Sequence, residues 1–214
     1  MEKELKLVKL YIENLKDTLD GPYAMSLVQC PAIEKNLLYY DKFGVKNSLI
    51  ERNNFLMANI SEIEQGYIVA PAMIPNKKIL AIVKDELVNT YYDEKTVFQA
   101  SEYFLKYNRQ NNITEQHLYQ VKDVDIVHSW IVENQSDPII TKYGFTDIPN
   151  GTWILRMKID NEDIRRKIKS GEIQGLSIEA WFSLQYSENQ LLKIDNSNKD
   201  ILDKIKDILL KMNI

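Results

Sequence analysis

The 214-residue sequence predicts an α+β fold in which strands carry most of the core. Three observations predict it. Residues 66–74, 124–132 and 152–159 are runs rich in β-branched and aromatic side chains, the composition of strands with at least one buried face. Residues 94–108 and 161–170 instead repeat apolar positions every three to four residues, the helical period. Glycine (7) and proline (6) are scarce, and there is no repeat or low-complexity tract, which disfavours a long linker.

Taken in order, Leu5, Leu7, Leu10 and Ile12 alternate imperfectly with Lys and Glu over 4–12 and predict a first strand. Gly21-Pro22 marks a turn, and 23–28 (YAMSLV) a short strand ending before Pro31. The stretch 34–55 is mixed. Residues 66–74 (GYIVAPAMI) predict a buried strand interrupted by proline and closed by Pro75-Asn76. In 94–108, Val97, Ala100, Phe104 and Leu105 share a helical face, with Asp93 or Thr96 as cap. The polar NRQNNITEQ then leads to His117. Residues 124–132 (VDIVHSWIV) predict a strand with His128 on the face of Val124, Ile126 and Trp130. A loop carrying Asp137-Pro138, Gly144, Pro149 and Gly151 follows, then a strand at 152–159.

The helix at 161–170 has a cap at Asp160 or Asn161, acids in its first turn, bases in its last and Gly171 as its stop. The next strand, 175–184, places Leu176, Ile178, Ala180 and Phe182 on one face and Ser177, Glu179 and Trp181 on the other. A polar stretch, 187–200, separates it from a terminal amphipathic helix with Ile201, Ile205, Ile208 and Met212 on one stripe.

Composition narrows the function. The net charge of −4 gives no basic footprint for nucleic acid. No apolar run approaches a membrane span, and the charged N-terminus lacks the apolar centre of a signal peptide. One cysteine, Cys30, cannot form an internal disulfide, as expected for a reducing compartment. Cys30 reads as a small buried residue rather than a thiol nucleophile. With two histidines and one cysteine no zinc set is expected, and no glycine-rich phosphate loop is present, so no metal or cofactor is expected.

A serine hydroxyl needs an adjacent base to act as a nucleophile, usually an imidazole. Ser177 and Glu179 share a strand face, and the only imidazoles are His117 and His128. The Gly-x-Ser-x-Gly elbow is absent, because Ser177 lies in Gly-Leu-Ser-Ile-Glu. Trp130, Trp153 and Trp181 read as strand-packing residues.

Four segments run in order between Tyr23 and Phe182: YAMSLVQCPAIEKNLLYY, GYIVAPAMIPNKKI, VHSWIVEN and GTWILRMKIDNEDIRRKIKSGEIQGLSIEAWF. Together, and in that order, they resemble the XkdF-like phage serine proteases. The resemblance implies an assemblin-like, largely antiparallel β-barrel flanked by helices, as in herpesvirus maturation proteases. It implies a protease domain over 1–186, followed by the polar linker and helix of 187–214. It implies a head-maturation endopeptidase that cuts the major capsid and scaffold proteins inside the immature head in the host cytoplasm. Self-cleavage and homo-oligomerisation are further expectations, without membrane or nucleic-acid partners. By the family pattern Ser177 is the nucleophile and His117 the base. Two departures stand out: Leu118 follows His117 where the family commonly has an acid, and His128 precedes Ser-Trp where the family often has Glu. Either His128 or Glu179 is therefore the third catalytic member. The competing reading is a non-catalytic head-assembly protein that keeps the protease fold.

Overall fold

Strands with continuous apolar runs have to bury both faces, and among the described residues three four-stranded sheets do this around one main apolar core. The computed structural model describes residues 5–29, 38–40, 66–83, 86–145 and 148–186. Cys30, most of 34–55, the polar stretch 187–200 and the expected C-terminal helix lie outside the described residues. The strands are β1 (Leu7–Tyr11), β2 (Gly21–Val28), β3 (Leu38–Tyr40), β4 (Tyr67–Met73), β5 (Ile79–Val83) and β6 (Glu86–Tyr91). After helix α1 (Glu94–Lys106) come β7 (Ile113–Glu115), β8 (Tyr119–Gln120) and β9 (Val124–Ile131). Helix α2 (Pro138–Tyr143), β10 (Trp153–Ile159), α3 (Glu162–Ser170), β11 (Gly175–Trp181) and β12 (Ser183–Tyr186) complete the order.

The sheets run β12-β1-β6-β5, β3-β4-β10-β9 and β11-β2-β7-β8. The α+β class is as expected. Each sheet keeps two edge strands, so closure into a barrel is not seen among the described residues. Met25, Leu27, Ile113, Leu176, Ile68, Leu155 and Phe104 meet in the main core. Trp153 is fully buried there, edge-on to Phe104 at 5.7 Å, with its indole N–H donated to Ser129 Oγ at 2.8 Å. Trp181, by contrast, is 66% exposed.

The helices follow their local signals. Asp93 caps α1 by accepting from Thr96 N at 2.9 Å, and Val97, Ala100 and Phe104 face the core. Asn161 caps α3 by accepting from Ile164 N at 3.1 Å, and Gly171 ends it at φ 81°. Burial of Ile164 and Ile168 on α3 contributes roughly 1.5–3 kcal/mol each.

Four details differ from the sequence reading. Gly21 and Pro22 begin β2 rather than form a turn; Arg109 donates to the carbonyls of Pro22 (2.6 Å) and Thr18, holding that strand start against α1. The unassigned residues after Asn76 form the β5–β6 hairpin. The loop after Asp137 contains α2, capped by Asp137 with Pro138 at its first position and Gly144 in the left-handed region at its end. The fourth concerns His128. A bulge at Val127 shifts the register between Arg156 and Met157, so the alternation changes phase. Val124 and Ile126 enter the main core, whereas His128 is exposed and Trp130 joins the second cluster of Val132, Tyr143 and Ile154.

Gly66, just before β4, has φ 69°, and a Cβ there would lie 2.7 Å from the Ile159 carbonyl oxygen. That oxygen is backbone and cannot swing aside. Gly66→Ala is expected to lower unfolding free energy by about 2 kcal/mol or more, from left-handed strain plus the clash. Urea unfolding checks this, and an unchanged midpoint would contradict it.

Candidate active site

The sheet β11-β2-β7-β8 builds the site. Leu176 and Ile178 of β11 turn into the core, which leaves Ser177 and Glu179 on the other face. Across the antiparallel pairing, Ser177 stands opposite Ser26 and Glu179 opposite Ala24. β7 runs parallel on the far side of β2, with Thr114 in register with Ser26. Ser177, Ser26 and Thr114 thus form a row of hydroxyls across three strands. Ala24 is small, so the Glu179 side chain crosses over β2, and its carboxylate accepts the Thr114 hydroxyl hydrogen bond.

His117 comes to this face through the turn between β7 and β8. Gln116 and His117 both have positive φ, 52° and 58°, and Leu118 N donates to Glu115 O at 3.0 Å. Two left-handed residues in a hairpin turn are the job usually given to Asn-Gly. Here neither is glycine, so the conformation has to be held by its surroundings. Gln116 N donates to Leu27 O at 3.0 Å, and His117 N donates to the Ser26 hydroxyl at 2.9 Å. Lys167 of α3 grips Glu115, at the start of the turn, through both carboxylate oxygens at 2.7 and 2.9 Å.

The turn sets His117 Nδ1 3.2 Å from Glu179 Oε1. Glu179 is 11% exposed and the imidazole 35%, so the pair sits at the mouth of the face rather than inside the core. A carboxylate beside Nδ1 can accept a proton held there, and that arrangement would leave Nε2 free to act on a substrate. Tyr23 completes the shell. Its phenol is pushed above the usual range by burial first, then by the Glu179 charge and a hydrogen bond to that carboxylate. The Tyr23 ring stacks on Trp181 at 6.3 Å. Beyond Trp181 lies an open cleft of about 580 Å³, lined by Glu13, Asp17, Leu19, Asp20 and Phe182 among others.

Of the four residues singled out in the sequence, the structure gathers Ser177, His117 and Glu179 on one sheet face. No direct hydrogen bond joins Ser177 to His117 among the described residues; the link runs through Ser26, opposite the first and bonded to the second. His128 stands in another sheet, with Arg156 Nη1 at 3.3 Å from its Nδ1 and its ring edge-on to Trp130. Sequence reasoning missed Ser26, Thr114, Tyr23 and Lys167. The signal for Ser26 was one hydroxyl inside an apolar strand, since a buried hydroxyl requires a partner.

A family model described as "Putative phage serine protease XkdF" matches residues 56–184, more than half of the chain. The match includes His117, Ser177 and Glu179; the opening segment from Tyr23, with Ser26, lies before it. No curated protein and no solved structure matches.

The turn's anchor yields a pH prediction. The Glu115 hydrogen bond raises the Lys167 pKa above its ordinary 10.5, with Asp163 adding to the effect against partial burial. A raised lysine pKa stabilises the fold below the unfolded value and loses that contribution as pH rises through the folded value. Glu115→Gln is expected to lower stability by about 0.5–1 kcal/mol at neutral pH, given partial solvent screening. The gap to wild type should hold up to about pH 10.5 and shrink above it. Thermal melts of both proteins from pH 7 to 12 check this; a gap that widens in alkali would contradict it.

Proposed function

The chain belongs to this family of phage serine proteases, and we propose that it is a head-maturation endopeptidase acting through Ser177, His117 and Glu179. The observation that carries the reading is the Glu179–His117 contact at 3.2 Å on the strand face that also bears Ser177. In the proposed reaction Ser177 Oγ attacks the scissile carbonyl carbon, and His117 Nε2 takes the hydroxyl proton. The tetrahedral intermediate collapses, the C–N bond breaks, and His117 returns the proton to the leaving amine. Water, deprotonated by the same nitrogen, then hydrolyses the acyl ester and regenerates Ser177. Glu179 holds the Nδ1–H tautomer and stabilises the imidazolium formed in each half-reaction. Thr114, which donates to Glu179, fixes the carboxylate in turn, with the Tyr23 phenol beside it.

The proposed substrates are the major capsid and scaffold proteins, cut within the immature head in the host cytoplasm. Self-cleavage in the 187–200 stretch is part of the same proposal. Support for an orienting carboxylate comes from position, because Glu179 meets the imidazole while His128 stands on Arg156.

Co-expression with the head proteins tests this. Wild type is expected to cut at least one of them. Ser177→Ala and His117→Ala should each lower cleavage by roughly 10⁴-fold or more, and the double variant should fall little further, because the two act as a unit. Glu179→Gln should cost about 10²–10⁴-fold, and His128→Ala should leave the rate near wild type. Folded wild type that leaves its own head proteins uncut, or Ser177→Ala that cuts them, would replace the enzyme with the non-catalytic assembly protein.

A further inference from the structure

Ser26 is the one polar residue in the run Met25-Ser26-Leu27-Val28, and its exposure is 0%. A hydroxyl left in such a place without a partner would bear its full desolvation cost. Its partner is unusual, because it is the backbone of another candidate site residue: His117 N donates to Ser26 Oγ at 2.9 Å across 91 positions of sequence. That amide belongs to a residue with φ 58°, where a histidine needs outside support. On the other side of the same strand, Ser26 is the cross-strand neighbour of Ser177. Directly opposed residues hold their Cβ atoms about 4.5–5.5 Å apart. One buried oxygen therefore ties the backbone of the base to the strand position facing the nucleophile.

We propose that Ser26 is a positioning residue, whose buried hydroxyl pins the left-handed His117 backbone and so sets the imidazole between Glu179 and Ser177. The inference rests on the reading of Ser177 and His117 as nucleophile and base, and it adds a residue outside the family-matched stretch. Without the pin, the turn keeps its bonds to Leu27 O and Lys167 but loses the one made by His117 itself. A displacement of about 1 Å at the base costs on the order of 10²-fold in turnover. Substrate contacts are untouched, so the loss falls on kcat.

The test uses the full chain and a peptide spanning the head-protein junction that wild type cuts. Wild type, Ser26→Ala and Ser26→Thr are compared for kcat, KM and amide hydrogen exchange at His117. Ser26→Ala is expected to lower kcat by roughly 10- to 100-fold with KM little changed. Exchange at the His117 amide should speed up in the same variant, and Ser26→Thr, which keeps the hydroxyl, should recover most of both. Wild-type kcat in folded Ser26→Ala would overturn the proposal, as would a defect in KM alone. Should Ser26→Ala fail to fold, Ser26→Thr decides: restored folding with kcat still depressed and fast His117 exchange would overturn it, and near wild-type values for both would support it. Wild type that cuts no head protein defeats the protease reading itself, a result distinguishable from an active Ser26→Ala.

Discussion

The contact between His117 Nδ1 and Glu179 Oε1 depends on the register of three strands and on one turn. Glu179 reaches the imidazole only because β11 pairs with β2 so that Ala24, a side chain small enough to cross, lies beneath it. Thr114 meets the same carboxylate because β7 runs parallel to β2 in a register that aligns it with Ser26. A slip of one residue in the pairing of β11 with β2 would turn Ser177 and Glu179 into the core and Leu176 and Ile178 out of it. The apolar side chains of β11 and β2 thus enforce the placement of the polar ones. Stability and site geometry share one set of contacts here.

The turn at Gln116-His117 is the strained part. Two non-glycine residues at positive φ cost of order 1–3 kcal/mol each in isolation. Glu115, Gln116 and His117 are each fastened to a different neighbour: Lys167 on α3, the Leu27 carbonyl and the Ser26 hydroxyl. A glycine would relieve the strain but would bring no imidazole. The arrangement spends conformational energy to place an imidazole where no regular strand would place it. β2 carries much of this load, and it is itself tied down by Arg109 at Pro22 and by Asn112, whose side chain donates to Tyr23 O at 3.1 Å. The polar stretch before His117 is therefore structural, holding the strand that holds the turn.

Much of the fold was legible because its signals are local. The strands at β4, β9 and β10, the caps of α1 and α3 and the glycine stop at Gly171 follow from composition and spacing over a few residues. The face of Ser177 and Glu179 followed from simple alternation on β11. What sequence could not show was long-range. The Val127 bulge, which moves His128 off the face of Ile126, leaves no mark in VDIVHSWIV. The pairing of Ser26 with the His117 amide joins residues 91 apart through a parallel strand contact that no local pattern encodes. The β5–β6 hairpin and α2 were missed for the opposite reason: their signals are present, with Asp137-Pro138 and Gly144 marking α2, but each element is short. Whether Glu179 or His128 faces His117 was open in sequence, because both lie near the right motifs. Three-dimensional register separates them.

The central claim is that Ser177 is a nucleophile activated by His117. Covalent labelling tests it without knowledge of the substrate. Folded wild-type protein is incubated with a fluorophosphonate, which reacts with serines activated by a neighbouring base, and the adduct is mapped by peptide mass spectrometry. The account predicts a single adduct on Ser177, lost in a folded His117→Ala variant. An adduct on a different serine, or no adduct on wild type under conditions that label a known serine protease, would contradict it.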